Sequence, residues 1–140
     1  MTAKEYLQSY KEYQLIADRK KEKWLAAAAD LVSLPSSSNY QDIKTGRNLH
    51  AQEDRIIRAQ HKKEAWAIAE LNALEVRQEV FSVIADIDGA PGEILYERYI
   101  KLNTWENVCK EVGLSWCQVH THHKDALTIV QKRIDKLSIG

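Results

Sequence analysis

The sequence predicts an all-α protein: a long N-terminal helical hairpin or coiled coil, followed by a small C-terminal helix-turn-helix domain. Three observations predict it. Only 5 Gly and 2 Pro occur in 140 residues, against abundant Ala, Leu, Glu, Lys and Gln, which favour helix. Tyr6, Tyr10, Tyr13, Ala17, Lys20, Trp24, Ala27 and Leu31 recur at alternating four- and three-residue spacing, the rhythm of a seam between paired helices. Asp88-Gly89-Ala90-Pro91-Gly92 packs three breakers together, which stops one helix and lets another start at proline.

The first helix is expected over about residues 3–34, with Leu7, Ile16, Leu25 and Val32 widening its apolar stripe. Such a helix leaves its seam wet unless a partner covers it. Pro35-Ser36-Ser37-Ser38-Asn39 ends it, because proline cannot continue a helix and serines favour turns. A loop follows to about Arg47, with Gly46 as a further breaker. A second helix runs to about Ile87, its stripe strengthening through Ile68, Leu71, Leu74, Val80, Phe81, Ile84 and Ile87. The pair forms an antiparallel hairpin within the chain or a coiled coil between chains. The domains are therefore expected at 1–88, a scaffold, and 89–140. The chain reads as free of internal repeats.

Composition bounds the function. The 20 basic and 20 acidic residues balance, which argues against coating nucleic acid by bulk attraction. The balance is local rather than uniform. Lys44, Arg47, Arg55, Arg58, Lys62 and Lys63 outnumber Glu53, Asp54 and Glu64, whereas Arg77 stands against Glu70, Glu75, Glu79, Asp86 and Asp88. Arg19, Lys20, Lys21 and Lys23 form an early basic cluster, either a solvated helix face or an auxiliary contact with DNA or a partner. No apolar run approaches the roughly 18 residues of a membrane span. The polar start and the two unframed cysteines point to a cytoplasmic, reducing setting. Gly-rich phosphate loops and nucleophile or metalloprotease motifs do not occur; neither catalysis nor a cofactor is expected. Cys117 and His120 lie one turn apart without further ligands at matching spacing, so no metal site is expected.

The last 50 or so residues divide into three helices. The first covers about Glu93–Lys101, with Leu95, Tyr99 and Ile100 in the core. Thr104 caps a second over Trp105–Val112, and Gly113 supplies the left-handed residue that ends it. Ser115 caps a third, running to about Leu137. Val108 and Val112 share one face, Cys109 fills a small slot, Leu114 plugs the interhelical angle, and Val119 is the first buried residue beyond. This is a helix-turn-helix pattern: a small residue lets two helices approach, and glycine permits the short turn. Val119, His123, Ala126, Leu127, Val130 and Ile134 form the buried face of the last helix, with His123 bonding to the scaffold and His122 at its edge. Trp105 is a packing residue or a partner anchor, and Trp116 a contact or a packing residue.

Ile94-Leu95-Tyr96-Glu97-Arg98-Tyr99-Ile100, Thr104-Trp105-Glu106-Asn107-Val108, the turn, and His122-His123-Lys124-Asp125-Ala126-Leu127 resemble region four of bacterial sigma factors. The likeness is greatest to the ArpU/RinA-like late transcriptional activators of phages of Gram-positive bacteria. It covers the last 50 or so residues; the first 88 match in layout. The resemblance implies double-stranded DNA as partner, activation of phage late genes in a bacterial host, and an N-terminal half that self-associates or touches RNA polymerase. Ser115, Trp116, Cys117, Gln118, His120 and Thr121 are the candidate groove contacts. Gln118 is suited to adenine, Thr121 or Trp116 to a thymine methyl, and His120 is expected to point outward. Lys101, Asn103, Thr104 and Lys124 are the candidate phosphate contacts. The sequence departs from the pattern in having no arginine between Arg98 and Arg133, so the common Arg–guanine contact is unavailable at the start of this helix. Two alternatives are a small-terminase-like DNA-packaging subunit and a protein-binding module that uses Trp116 as an anchor.

Overall fold

The computed structural model describes residues 1–32 and 46–139. The expected turn over 35–39 and the loop after it lie outside the described residues. The fold is all-α, in the order α1 (Ala3–Val32), α2 (Gly46–Ala85), α3 (Ala90–Leu95), a π turn (Tyr96–Ile100), α4 (Trp105–Val112) and α5 (Trp116–Ile139). Gly46, expected as a breaker, instead opens α2. No described helix is long and apolar enough to cross a membrane.

Compact packing groups the chain into Met1–Tyr13 with Ala73–Gly140, and Gln14–Asn72. The boundary expected after residue 88 thus falls inside the first unit. The reason is a shared core. Ala3, Leu7 and Tyr10 of α1 and Ala73, Val80, Val83 and Ile84 of α2 pack with Leu95, Tyr99, Ile100, Ala126 and Val130. The N-terminal backbone is also tied to α5, because the Ala3 amide donates to Gln131 Oε1 at 2.7 Å. Asp86 and Arg133 pair at the surface. α3, the π turn and α5 therefore pack on the ends of α1 and α2, which supply apolar surface that a 50-residue unit has little of.

Of the seam predicted in α1, Tyr10 and Ala17 are buried and Tyr13 is not. Ala3, Leu7, Tyr10 and Ala17 are buried, while Tyr13, Ile16, Leu25 and Val32 are exposed. Among the described residues of the second unit, the buried side chains are alanines, Ala17, Ala59 and Ala69. Small residues at the seam let two helices approach closely. The larger aliphatics face out, with Ile68 and Leu71 each 61% exposed and Ile56 and Ile57 about half exposed. The α2 stripe expected through Ile68, Leu71, Leu74 and Phe81 is thus corrected: these four are exposed, and the buried side runs through Ala59, Ala69 and Ala73 to Val80, Val83 and Ile84.

The same unit carries a short likeness between its two helices. Lys20-Lys21-Glu22-Lys23-Trp24 and Lys62-Lys63-Glu64-Ala65-Trp66 match as Lys-Lys-Glu-x-Trp, and the two tryptophans stack at 5.1 Å. A five-residue likeness is too short to be noticed until the fold places its two copies side by side.

The α3 helix starts from Gly89, with Pro91 in its first turn. The helix expected to run to Lys101 instead widens after Leu95. The Lys101 amide reaches back to the Tyr96 carbonyl at 3.1 Å and the Asn103 amide to that of Glu97 at 3.0 Å. Leu102 then adopts φ 59°, a left-handed conformation that costs a branched residue roughly 1 kcal/mol; its side chain packs against the main core in return.

Candidate nucleic-acid interface

The turn between α4 and α5 forms as the sequence predicts. Thr104 Oγ1 accepts from the Asn107 amide at 3.3 Å and caps α4. Gly113 ends α4 at φ 70°, ψ 29°, with its amide donating to the Cys109 carbonyl. Beneath the turn, Ile94, Val108 and Val119 are fully buried, and Trp105, Cys109, Val112 and Leu114 pack around them. α3, α4 and the first turn of α5 thus share one small core, which fixes how α5 leaves the turn.

Ser115 and Gln118 then close a reciprocal cap. The Gln118 amide donates to Ser115 Oγ at 3.3 Å, while Gln118 Oε1 accepts from the Ser115 amide at 3.1 Å and from its hydroxyl at 3.2 Å. This is a capping box, satisfying amide donors that a helix start leaves orphaned. It corrects the role assigned to Gln118. Its carbonyl is engaged at home, and a bidentate grip on adenine would require releasing the cap.

His120 is the second correction. It does not project outward: its ring lies 4.7 Å from Trp105 and 4.5 Å from Trp116, and Nε2 is buried without a hydrogen-bond partner. Trp116, one turn earlier on α5, folds over it while α4 supplies Trp105 from the other side. Trp116 itself remains 53% exposed, so it both packs and presents a surface.

The phosphate candidates sort similarly. Lys101 Nζ pairs with Glu97 Oε1 at 3.2 Å, and the hydrogen bond from Lys101 to Glu97 raises the lysine's pKa. Asn103 Nδ2 donates to Glu97 Oε2 at 2.7 Å, and its carbonyl accepts from Arg98 at 2.9 Å. Glu97 therefore engages both residues, although Lys101 stays exposed, and Thr104 is occupied as a cap. What the first turns of α5 leave exposed is Trp116, Cys117, Gln118, Thr121 and Lys124. The Thr121 hydroxyl donates back to the Cys117 carbonyl at 2.9 Å, and the side chain is otherwise exposed. Lys124 is the cation of this face, with exposed Asp125 beside it.

Comparison with known proteins finds no matching family model, no similar curated protein and no similar solved structure. The geometry alone bears on function.

Two features behind the site escape sequence inspection. Arg98 lies 4.7 Å over the Trp105 ring, which braces the start of α4 against the π turn. His123, correctly expected on the buried face, shares a 2.8 Å hydrogen bond with the Tyr99 hydroxyl. The partner could not be named because helix periodicity reports which face is inward, not what stands across from it.

Proposed function

We propose that the chain is a DNA-binding regulator of transcription, of the phage late-activator kind that its C-terminal segment resembles. It acts by binding rather than by catalysis. One observation carries this reading: the left-handed turn at Gly113 joins two helices over a shared core and leaves the first turns of α5 exposed. That arrangement suits a helix entering a major groove. The exposed chemistry, a tryptophan ring, a threonine methyl and a lysine, favours readout by apolar contact and shape over bidentate hydrogen bonding.

Selection of bound duplexes from a random library, followed by footprinting, tests it. A preferred sequence is expected to emerge, and Thr121→Ala is expected to weaken binding to it by roughly 10-fold, in line with about 1–3 kcal/mol for one base contact. Gln118→Glu keeps an acceptor for the cap and adds charge toward the DNA, so affinity should fall while thermal stability holds. A library that enriches no sequence refutes the reading.

Exposed Trp116 beside a single lysine supports a second reading, a protein-binding module. Salt separates the two, since a DNA complex must weaken as ionic strength rises. The uncovered Ile56, Ile57, Ile68 and Leu71 support self-association in either case. Sedimentation is expected to show a dimer that Leu71→Glu dissociates, whereas a large ring would favour the packaging alternative and a wild-type monomer would remove self-association.

A further inference from the structure

The unit Gln14–Asn72 carries a local symmetry that the helix-turn-helix does not use. On a helix, residues three and four before a tryptophan lie on its side, and the residue two before lies roughly opposite. Each Lys-Lys-Glu-x-Trp segment therefore sends both lysines toward its tryptophan and its glutamate away. The structure then swaps partners. Lys21 Nζ sits 5.8 Å over the ring of Trp66, and Lys63 Nζ sits 5.8 Å over the ring of Trp24. Between them the two rings lie 12° from parallel. The two segments thus make reciprocal contacts at equal distance.

This arrangement gathers like charge. Lys21 and Lys63 meet at the stack, Lys20, Lys23 and Lys62 adjoin them in the sequence, and none of the five takes part in a salt bridge among the described residues. Glu70, the acid nearest the stack, accepts from Trp66 Nε1 at 3.1 Å. The two cation–ring contacts contribute about 0.5–1 kcal/mol each at an exposed site. Lys20, Lys23 and Lys62 have no comparable contact, and crowding them is unfavourable for folding alone. A bound polyanion would reverse that sign. The rings are closed on each other and covered by lysines, so they offer no platform for a base; the open chemistry is a set of ammonium groups suited to phosphate oxygens.

We propose that the paired Lys-Lys-Glu-x-Trp segments form a sequence-independent contact for the phosphate backbone of duplex DNA. The choice of polyanion rests on the reading above. It gives a division of labour: affinity from the cation cluster, selection from α5, whose own exposed face offers Lys124 as its cation.

The test is anisotropy of a labelled duplex of scrambled sequence, titrated with the full chain at several salt concentrations. Combined Lys20→Gln, Lys21→Gln, Lys62→Gln and Lys63→Gln changes preserve helix propensity. They are expected to weaken binding by roughly 10-fold or more at low salt and to flatten the log affinity–log salt slope by about 2–4, near 0.9 for each phosphate no longer neutralised. The corresponding four arginine replacements should retain both. Should the four-glutamine chain misfold by circular dichroism, Lys20→Gln with Lys62→Gln leaves the ring contacts intact and should remove roughly half of that slope change. Unchanged affinity and slope in the folded glutamine variants overturns the proposal. So does equal weakening by glutamine and arginine, or tighter lysine-dependent binding to phosphatidylserine vesicles than to the duplex. If the chain holds that duplex through these lysines yet selects no sequence, the α5 reading fails and this one stands; if it selects a sequence indifferent to the lysines, the reverse holds.

Discussion

Gly92→Ala should cost about 3 kcal/mol or more and lower the melting temperature by roughly 10 °C or more. A Cβ built on Gly92 would stand 2.0 Å from the Ile87 carbonyl oxygen and 3.0 Å from its carbon. Both are backbone atoms, so no side chain can rotate aside. Relief requires moving α3 or the turn before it. Moving α3 withdraws Ile94 and Leu95, both fully buried, and moving the turn withdraws Ile87. Overpacking of this kind typically costs about 1–3 kcal/mol, and more where the obstacle is main chain.

Gly113→Ala is the internal control. Nothing lies within 4 Å of a Cβ there, and its φ is +70°. The expected cost is only the left-handed conformation itself, about 1 kcal/mol. Thermal melts of the two variants should rank Gly92→Ala far below Gly113→Ala. Equal melting points, or the opposite order, would mean that α3 does not press against the Ile87 carbonyl.

These two glycines show how far the sequence could be read. Gly113 was legible because apolar residues at fixed offsets surround it, and that pattern exists for few other reasons. Gly92 sits in a cluster of breakers and looks like one of them, yet it lies within a helix and serves close approach; only the neighbouring chain reveals that. The same distinction runs through the molecule. Val108, Val119, Ala126 and Val130 are buried as their spacing predicts, because one face of a helix is a local property. The domain boundary was not legible, because Ala3, Leu7 and Tyr10 join a core whose other half lies some ninety residues away in the chain. Nor was the α2 stripe, since alanines at heptad spacing carry little hydrophobic signal but pack closest. At the site, outward positions could be predicted but not their engagements. Gln118 is held by Ser115 and His120 by two tryptophans, and both are contacts of particular side chains rather than of periodicity.

Stability should rise with pH between about 4 and 6.5, and His123 should be a main source of the change. Its ring is buried between Tyr99 at 5.8 Å and Trp105 at 4.6 Å. Burial first, then the positive charges of His120, Lys4 and Arg98, push its pKa down to about 4. An imidazolium could still donate to the Tyr99 oxygen, so breakage of that bond is not the cause; desolvating a cation beside other cations is. The sign follows from proton counting. The unfolded chain takes up this proton near 6.5 and the folded chain only near 4, so within that window the unfolded state holds more protons. The stabilisation is complete above about 6.5 and is lost progressively toward pH 4, by on the order of 2–3 kcal/mol. Urea midpoints measured across the window should fall with acid in the wild type. In His123→Gln, which can still bond the Tyr99 hydroxyl but cannot titrate, the curve should be flatter by that amount. Parallel curves for the two proteins would show that His123 is not held neutral by its surroundings, and the packing of α5 against the π turn would then need redrawing.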